Sequence, residues 1–547
     1  MIKININKNQ FWKKYSLNDL SIWIKGNIYT HSIDKIISIC KDIKKDEVSS
    51  FVASIQGHFA LIVQRNDLTF IAVDKIRSTP LFFVKIKNDY IIDCDPKNLV
   101  NLNEFDKKIE ENARLEISMS GFTIGNKTIY KNLHSLKAGE RVIFEKNSYE
   151  YTQYYKYFGE IVNKNFDEYL QELSEITLNI FRKMLTQIGD RQIIIPLSAG
   201  NDSRLVASIL KYLGAKNVKC YSYGTKGNFE AKIAKIIANK LGYEWKFIPL
   251  THKSERKFYK TDDYKKYLNY SETFCSVPYF QSLSTIKYLK DLNWIDSDAI
   301  FINGNSGDFI SGGHIDSKIK DIQEVSNTNK ELRKENILNQ LIKKHFSLWG
   351  YLQIDKNINK IKESLYGEIF REFGDLSYKD KNKDHLFYEY SEFIDRQSKY
   401  VISGQRVYEY YGHDWRLPLW NDEYLLFWQK VPMDYKFKQK LYVEMLKKNN
   451  YGYVWGADIP VNKKTITPKW IIPIRFICKL PFGLFGKKGK KAWKQFDMNI
   501  FFYFRDVTHM MDTQNYIRIV KDIFKKPSFH VAWQVKDYLK KIEMFKI

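Results

Sequence analysis

Paired cysteines are missing from this sequence. Its five, Cys40, Cys94, Cys220, Cys275 and Cys478, lie far apart, with no C-x-x-C among them. An odd, scattered set excludes a disulfide framework, argues against a zinc site and points to a reducing compartment. Long apolar runs are missing too. None reaches the roughly 20 residues that cross a bilayer, and the opening stretch Met1 to Lys8 has no signal-peptide core. We expect a cytoplasmic protein, soluble or peripheral to a membrane. Acidic residues are the third shortfall: 63 Asp+Glu against 88 Lys+Arg leave a formal charge of +25. That excess suits a nucleotide, a nucleic acid or an anionic lipid, yet dispersed lysines in an Asn- and Ile-rich chain also follow from AT-rich coding. What the chain has in quantity is apolar: 44% hydrophobic and 16% aromatic over 547 residues, enough for two or three domains with sizeable cores.

The organising stretch is Ile193-Ile-Ile-Pro-Leu197-Ser198-Ala199-Gly200-Asn201-Asp202-Ser203-Arg204. It reads as a buried strand, a tight loop of small residues and the first turn of a helix from Arg204 to Leu213. Free N–H groups and the positive helix end then meet, which suits a phosphate. Ser198 and Ser203 add hydroxyls, and Gly200 permits close approach. Asp202 repels a phosphate unless a divalent cation lies between them. An ordinary strand-turn-helix corner capped by Asp202 gives the same pattern. No Gly-Lys-Ser/Thr follows, so this is not a Walker loop.

Downstream, Asn217 to Gly224 and Trp245 to Leu250 read as strands, with a helix from Asn228 to Leu241 between them. Phe166 to Ile188 is apolar at helical spacing. Alternating strands and helices predict a doubly wound parallel sheet with its ligand at the carboxyl ends of the strands, where Ser198, Tyr223 and Gly224 fall. Ala299 to His314 repeats the pattern: a strand, then the Gly-rich loop Asn303-Gly304-Asn305-Ser306-Gly307-Asp308. Taken alone, Asp308 also reads as a helix cap. Residues 1 to 155 are strand-rich, with runs at Ser54–Val63, Thr69–Asp74, Leu81–Ile86 and Tyr90–Asp93.

These motifs resemble the asparagine synthetase family. The loop at 197–203 is similar to the pyrophosphate-binding Ser-Gly-Gly-x-Asp-Ser loop of ATP-pyrophosphatases, departing at Ala199. The order Gly57, Phe59-Ala60, Asp74, Arg77, Pro80-Leu81, then Gly125 to Tyr130 and Leu136 to Glu140, resembles that family's amino-terminal glutaminase domain. The resemblance implies an α+β, Ntn-hydrolase-like β-rich sandwich over 1–155. It implies an α/β PP-loop domain with additional helices over 165–470, and leaves a basic, aromatic extension over 471–547. It further implies ATP and Mg2+ as cofactors. Leu197 to Ser203, Tyr223, Gly224, Asn303 and Gly304 would hold the nucleotide, and Asp202 with Asp308 the metal. Asp414 and Arg416, in Gly412-His-Asp-Trp-Arg-Leu-Pro418, match the family's Glu-x-Arg-x-Pro run, although a mutual ion pair is the commoner fate of such neighbours. Lys463 or Lys464 falls on the segment of the catalytic lysine, with a solvated charge pair as the alternative.

Departures from the family sharpen the expectation. The glutaminase nucleophile is a cysteine directly after the initiator methionine, and here that residue is Ile2. An alkyl side chain cannot attack an amide, so the glutaminase half is expected to be inactive, with Cys40 a core residue. Asn305 stands where the family carries Glu, or Tyr in β-lactam-forming relatives, and Phe309 replaces the Glu after the aspartate. Asn is no general base, so the substrate is expected not to be aspartate. The reaction implied is adenylation of a carboxylate, on a small molecule or a glycan, followed by attack of ammonia or an amine, by analogy in surface-polysaccharide or secondary biosynthesis. A decayed ATP-binding scaffold and an RNA-modifying adenylating enzyme are the rival classes; only the net charge favours the second, and no nucleic-acid partner is expected. The basic, aromatic tail suits peripheral contact with an anionic membrane, a cover for the core or an acidic substrate. Homo-oligomers are compatible with the sequence, and 315–389 reads as charged family insertions without assigned function.

Overall fold

A computed structural model describes residues 1–6, 11–325, 329–377, 380–461, 467–505, 516–528 and 530–544. Its amino-terminal half holds two facing sheets. The larger runs Tyr149–Gln153, Glu140–Phe144, Thr69–Val73, Gly57–Gln64, Leu20–Ile28, Trp12–Leu17, antiparallel throughout. The smaller runs Ile2–Ile4, Asp89–Asp93, Phe82–Ile86, His134–Ser135. The period of two sorts each strand between layers. Ala60, Ile62, Ile71 and Val73 pack on Phe83, Tyr90 and Ile92 of the facing sheet. Leu61, Val63, Phe70 and Ala72 pack on the helices Ile33–Asp42 and Val48–Ser54. This is the layered α+β sandwich expected. Cys40 lies in the core between the larger sheet and these helices, fully buried. Asp74 and Arg77 are structural: Asp74 accepts N–H bonds from Phe59 and Ile76, both 2.8 Å, and Arg77 donates to the Leu136 carbonyl at 2.8 Å.

The helix Phe166–Ile188 opens with a capping box between Asn165 and Glu168 and leads into a five-stranded, wholly parallel sheet. Its order is Glu244–Pro249, Val218–Gly224, Ile193–Pro196, Ile300–Ile302, Asp414–Arg416. Ile193, Ile194 and Ile195 are buried on both faces, as a central parallel strand requires. Strands added in sequence order go to one side of Ile193–Pro196, and the next two go to the other. The order therefore reverses between Ile193–Pro196 and Ile300–Ile302, the position where open α/β sheets bind ligands.

The last segment divides in two. Val531, Trp533, Val535, Tyr538 and Ile542 of the helix Val531–Met544 share one core with Phe82, Leu99 and Ile117 of the amino-terminal half and Phe274 and Val277 of the other. The helices Ile471–Gly483 and Gly486–Ile500 instead form a hairpin whose first helix buries only Ile471. No helix among the described residues is long and apolar enough to cross a membrane.

Candidate active site

At the reversal point lies a cavity of about 650 Å³. The loops following the two adjacent strands form one wall, through Leu197, Ser198, Gly200, Asn201, Asp202 and Ser203 from the first and Asn303, Gly304, Asn305 and Asp308 from the second. Tyr223 lines it from the end of its own strand. Ala199 and Gly224 stand behind this wall: Ala199 is buried, and Gly224 pairs with Pro249 in the sheet.

The helix after the first loop begins at Asn201, earlier than the Arg204 expected from sequence, because Gly200 takes the N-cap position. No side chain caps it, so the first-turn N–H groups keep their capacity for an anion. Ser203 Oγ accepts from Ser198 N at 3.0 Å, and Ser198 Oγ accepts from Gly200 N at 3.1 Å, which tightens the loop. Neither aspartate is a helix cap. Asp202 Oδ2 accepts from Asp308 N at 3.1 Å, and Asp202 Oδ1 accepts from the Tyr442 hydroxyl at 3.1 Å. Two glycines make this approach feasible. A Cβ on Gly304 would lie 2.7 Å from Asp202 C, and one on Gly307 would lie 2.5 Å from Asp202 Oδ1. Burial, with the Asp308 charge beside it, raises the Asp202 carboxyl to about 7. Burial opposes ionisation of Asp308 as well, but His314 beside it holds that carboxyl below its usual range.

Asp308 faces His314, whose Nε2 lies 3.2 Å from its Oδ2; the other ring nitrogen, Nδ1, bonds the fully buried Glu392. Glu392 also meets His345 at 3.0 Å, Lys344 at 3.1 Å and Gln397 at 3.0 Å. Burial opposes a charged imidazole, but Glu392 and Asp308 overcome it and hold His314 up at about 9. A histidine raised in the fold stabilises it fully below its unfolded value of about 6.5, and that contribution is lost as pH rises through 9. The metal-free protein should therefore lose up to about 3 kcal/mol between those limits. His314→Gln should flatten this part of a melting-temperature profile from pH 6 to 10, and an unchanged slope would refute the assignment.

Asp414 and Arg416 are not brought to the cavity. Arg416 Nη1 donates to Asp414 Oδ2 at 2.9 Å and to the Trp415 carbonyl, while Asp414 meets Arg191 and Asn27. Both lie on the edge strand, and the pairing of neighbours absorbs the charge that would have met a carboxylate. Lys463 and Lys464 lie outside the described residues; Val461, just before them, lines the cavity. The extension 315–389 contributes apolar packing, with Ile337, Leu341 and Ile361 set against Met119, Phe122 and Ile124.

Sequence reasoning assigned no role to Arg204, Arg396 or Glu392. The buried Arg204 guanidinium donates to the carbonyls of Ala199, Val454, Ile459 and Pro460 at 2.8 to 3.2 Å, tying the first loop to the segment that leads to Lys463. Arg396 lines the cavity from the π-helix Phe393–Val401, and its one hydrogen bond among the described residues is a long one, 3.4 Å to Glu392. Arg396, Tyr400 and Val401 reach the cavity together from this π-helix.

Two known families match this chain, a glutamine amidotransferase domain over residues 44–155 and asparagine synthase over 183–453. No curated protein matches it. Among solved structures it is similar to glutamine phosphoribosylpyrophosphate amidotransferase from B. subtilis complexed with ADP and GMP. That likeness has 10% identity, 45% of this chain, 75% of that one and a TM-score of 0.19. It is also similar to the allosteric regulatory enzyme of purine biosynthesis, at 11% identity, with 53% of this chain and 57% of that one covered and a TM-score of 0.18.

Proposed function

The chain belongs to the asparagine synthetase-like family with an amino-terminal glutamine amidotransferase domain, and from that premise we propose that it joins a carboxylate to ammonia or an amine at the expense of ATP. The observation that carries the reading is the meeting of Asp202 and Asp308 across one hydrogen bond, on loops after adjacent strands, at the sheet's reversal point.

In this reading a substrate carboxylate oxygen attacks the α-phosphorus of ATP. The bond to pyrophosphate breaks, and an acyl-adenylate forms. The nitrogen then attacks the acyl carbon, AMP departs, and the nitrogen sheds its proton. Ser198, Gly200, Ser203 and the first-turn amides would hold the pyrophosphate. Two carboxylates are the hard oxygen donors that Mg2+ takes beside phosphate oxygens, and among the described residues no larger His, Cys, Asp or Glu cluster offers a closed cage. Mg2+ held there by Asp202 and Asp308 would neutralise the leaving pyrophosphate. Lys463 or Lys464 would add charge from the segment beyond Val461.

The nitrogen is proposed to come from free ammonia or an amine rather than from glutamine. Ile2 sits in a strand paired with Tyr90 to Ile92 and carries no nucleophile. Burial pushes the Cys40 thiol up to about 12 and that of Cys94 to about 11, away from the thiolate that a nucleophile needs.

Arg396 is proposed to fix the substrate's anionic group, because its guanidinium faces the cavity with only that long contact to Glu392. ATP–pyrophosphate exchange, run with a panel of carboxylates and ammonium, tests the function. Carboxylate-dependent exchange supports it, while absent exchange together with absent Mg-ATP binding would leave a decayed scaffold. With an active carboxylate in hand, Arg396→Gln should raise its KM about 10–100-fold, the worth of one charged hydrogen bond, and leave the KM for ATP unchanged.

A further inference from the structure

The hairpin Ile471–Gly483 and Gly486–Ile500 lies beyond both family matches and is built unlike the rest of the surface. Soluble surfaces scatter single apolar side chains. Here Ile472, Ile474, Phe476, Ile477 and Leu480 are all exposed on the side of one helix turned away from its partner, and the tip of the hairpin is more exposed still: Leu484 at 85% and Phe485 at 68%.

The second helix supplies the charge. Lys487, Lys488, Lys490, Lys491 and Lys494 follow the tip directly, and no carboxylate pairs with them among the described residues. The one acid in either helix, Asp497, is taken by Arg475 in a two-pronged pair at 2.6 and 2.8 Å. The hairpin is also a fixed object. Phe482 packs on Trp493 and Phe496, with ring centres 5.6 and 5.4 Å apart. Beyond the hairpin, the Tyr503 ring stacks on His252 at 4.0 Å, and the Tyr503 hydroxyl accepts from Arg256.

We propose that this hairpin docks the protein on an anionic lipid bilayer, with Leu484, Phe485 and the exposed face of Ile471–Gly483 entering the acyl boundary and the lysines meeting lipid phosphates. An apolar wedge collared by unpaired cations matches that surface in both hydropathy and charge. A helix of 13 residues is only about 20 Å long, too short to cross a hydrocarbon core of about 30 Å, so it lies in the interface and does not span it. A second copy of this chain fits less well, because a symmetric contact would set the two lysine clusters against each other.

Co-sedimentation of the full chain with phosphatidylglycerol/phosphatidylcholine vesicles tests this. Binding should be strong to anionic vesicles, weak to pure phosphatidylcholine, and weaker as salt rises. Replacing Lys487, Lys488, Lys490 and Lys491 by Ser should lower the partition constant by more than about a hundredfold, taking the usual worth of a lysine near such a surface. Leu484→Asp with Phe485→Asp, at exposed positions outside the fold's cores, should abolish binding while leaving the melting temperature unchanged. Equal binding to neutral vesicles, no binding to anionic ones, or indifference to both variants would overturn the proposal. So would a lipid-free dimer, seen by light scattering, that the tip variant dissolves.

Discussion

Asp308→Asn should lower ATP–pyrophosphate exchange by about 10³-fold, the loss typical when a charge-stabilising group is removed from a transition state. The amide keeps the shape of the side chain, and Asp308 N–H still reaches Asp202, so the loop should hold. Only the negative charge that would complete the proposed cation site is gone. Asp202→Asn should do the same. The double variant should be scarcely worse than either single one, because two carboxylates sharing one ion act as a unit. Chelation of Mg2+ in the unaltered protein should produce a comparable loss. A single variant that keeps a tenth of the exchange rate, in protein with an unchanged melting temperature, would show that the two aspartates do not share a metal.

The second large effect is on stability. Lys399 is 1% exposed and its ammonium serves three partners at once: Asp395 at 2.9 Å, the Thr123 carbonyl at 2.6 Å, and the Gly125 carbonyl. Thr123 and Gly125 belong to the amino-terminal half, whereas Lys399 and Asp395 lie on the π-helix that carries Arg396 to the cavity. Lys399→Met leaves a buried carboxylate without its countercharge and two carbonyls without their donor, which should cost about 3–5 kcal/mol and move the urea midpoint accordingly. Adding Asp395→Leu should restore much of that loss, since a buried ion pair is often replaceable by apolar packing although neither half is dispensable alone. Because the π-helix is loosened, Lys399→Met should also raise the KM for the carboxylate. An unaltered midpoint would contradict the assigned role.

How much of this was legible in the sequence follows from the range of each interaction. Strand, loop and helix around Ser198 and Asp202 are specified by neighbours along the chain, so the motif and the parallel sheet could be read directly. The helix Phe166–Ile188 was legible to the residue, because a capping box and an apolar stripe of 3.6-residue period fix it locally. The coincidence of Asp202 with Asp308 was reachable only through family resemblance, since 106 positions separate them. Arg204, Glu392 and Arg396 carried no signal: their roles depend on carbonyls and carboxylates supplied by remote segments. Asp414 and Arg416 pair with each other, the alternative that the sequence had left open. A motif position was matched, but the local chemistry of two opposite charges two residues apart decided where the side chains went.

The helix Val531–Met544 has a consequence for how the molecule comes into being. Trp533, Tyr538 and Ile542 complete a core whose other members include Phe82, Leu99 and Ile117, so those early residues wait for partners made more than 400 positions later. Until they emerge, a nascent amino-terminal half exposes an apolar surface, and its closure is among the slowest kinds of contact to form, joining segments more than 400 residues apart. Birth of the protein therefore has a vulnerable interval that lasts until this helix has emerged, during which chaperone capture competes with aggregation.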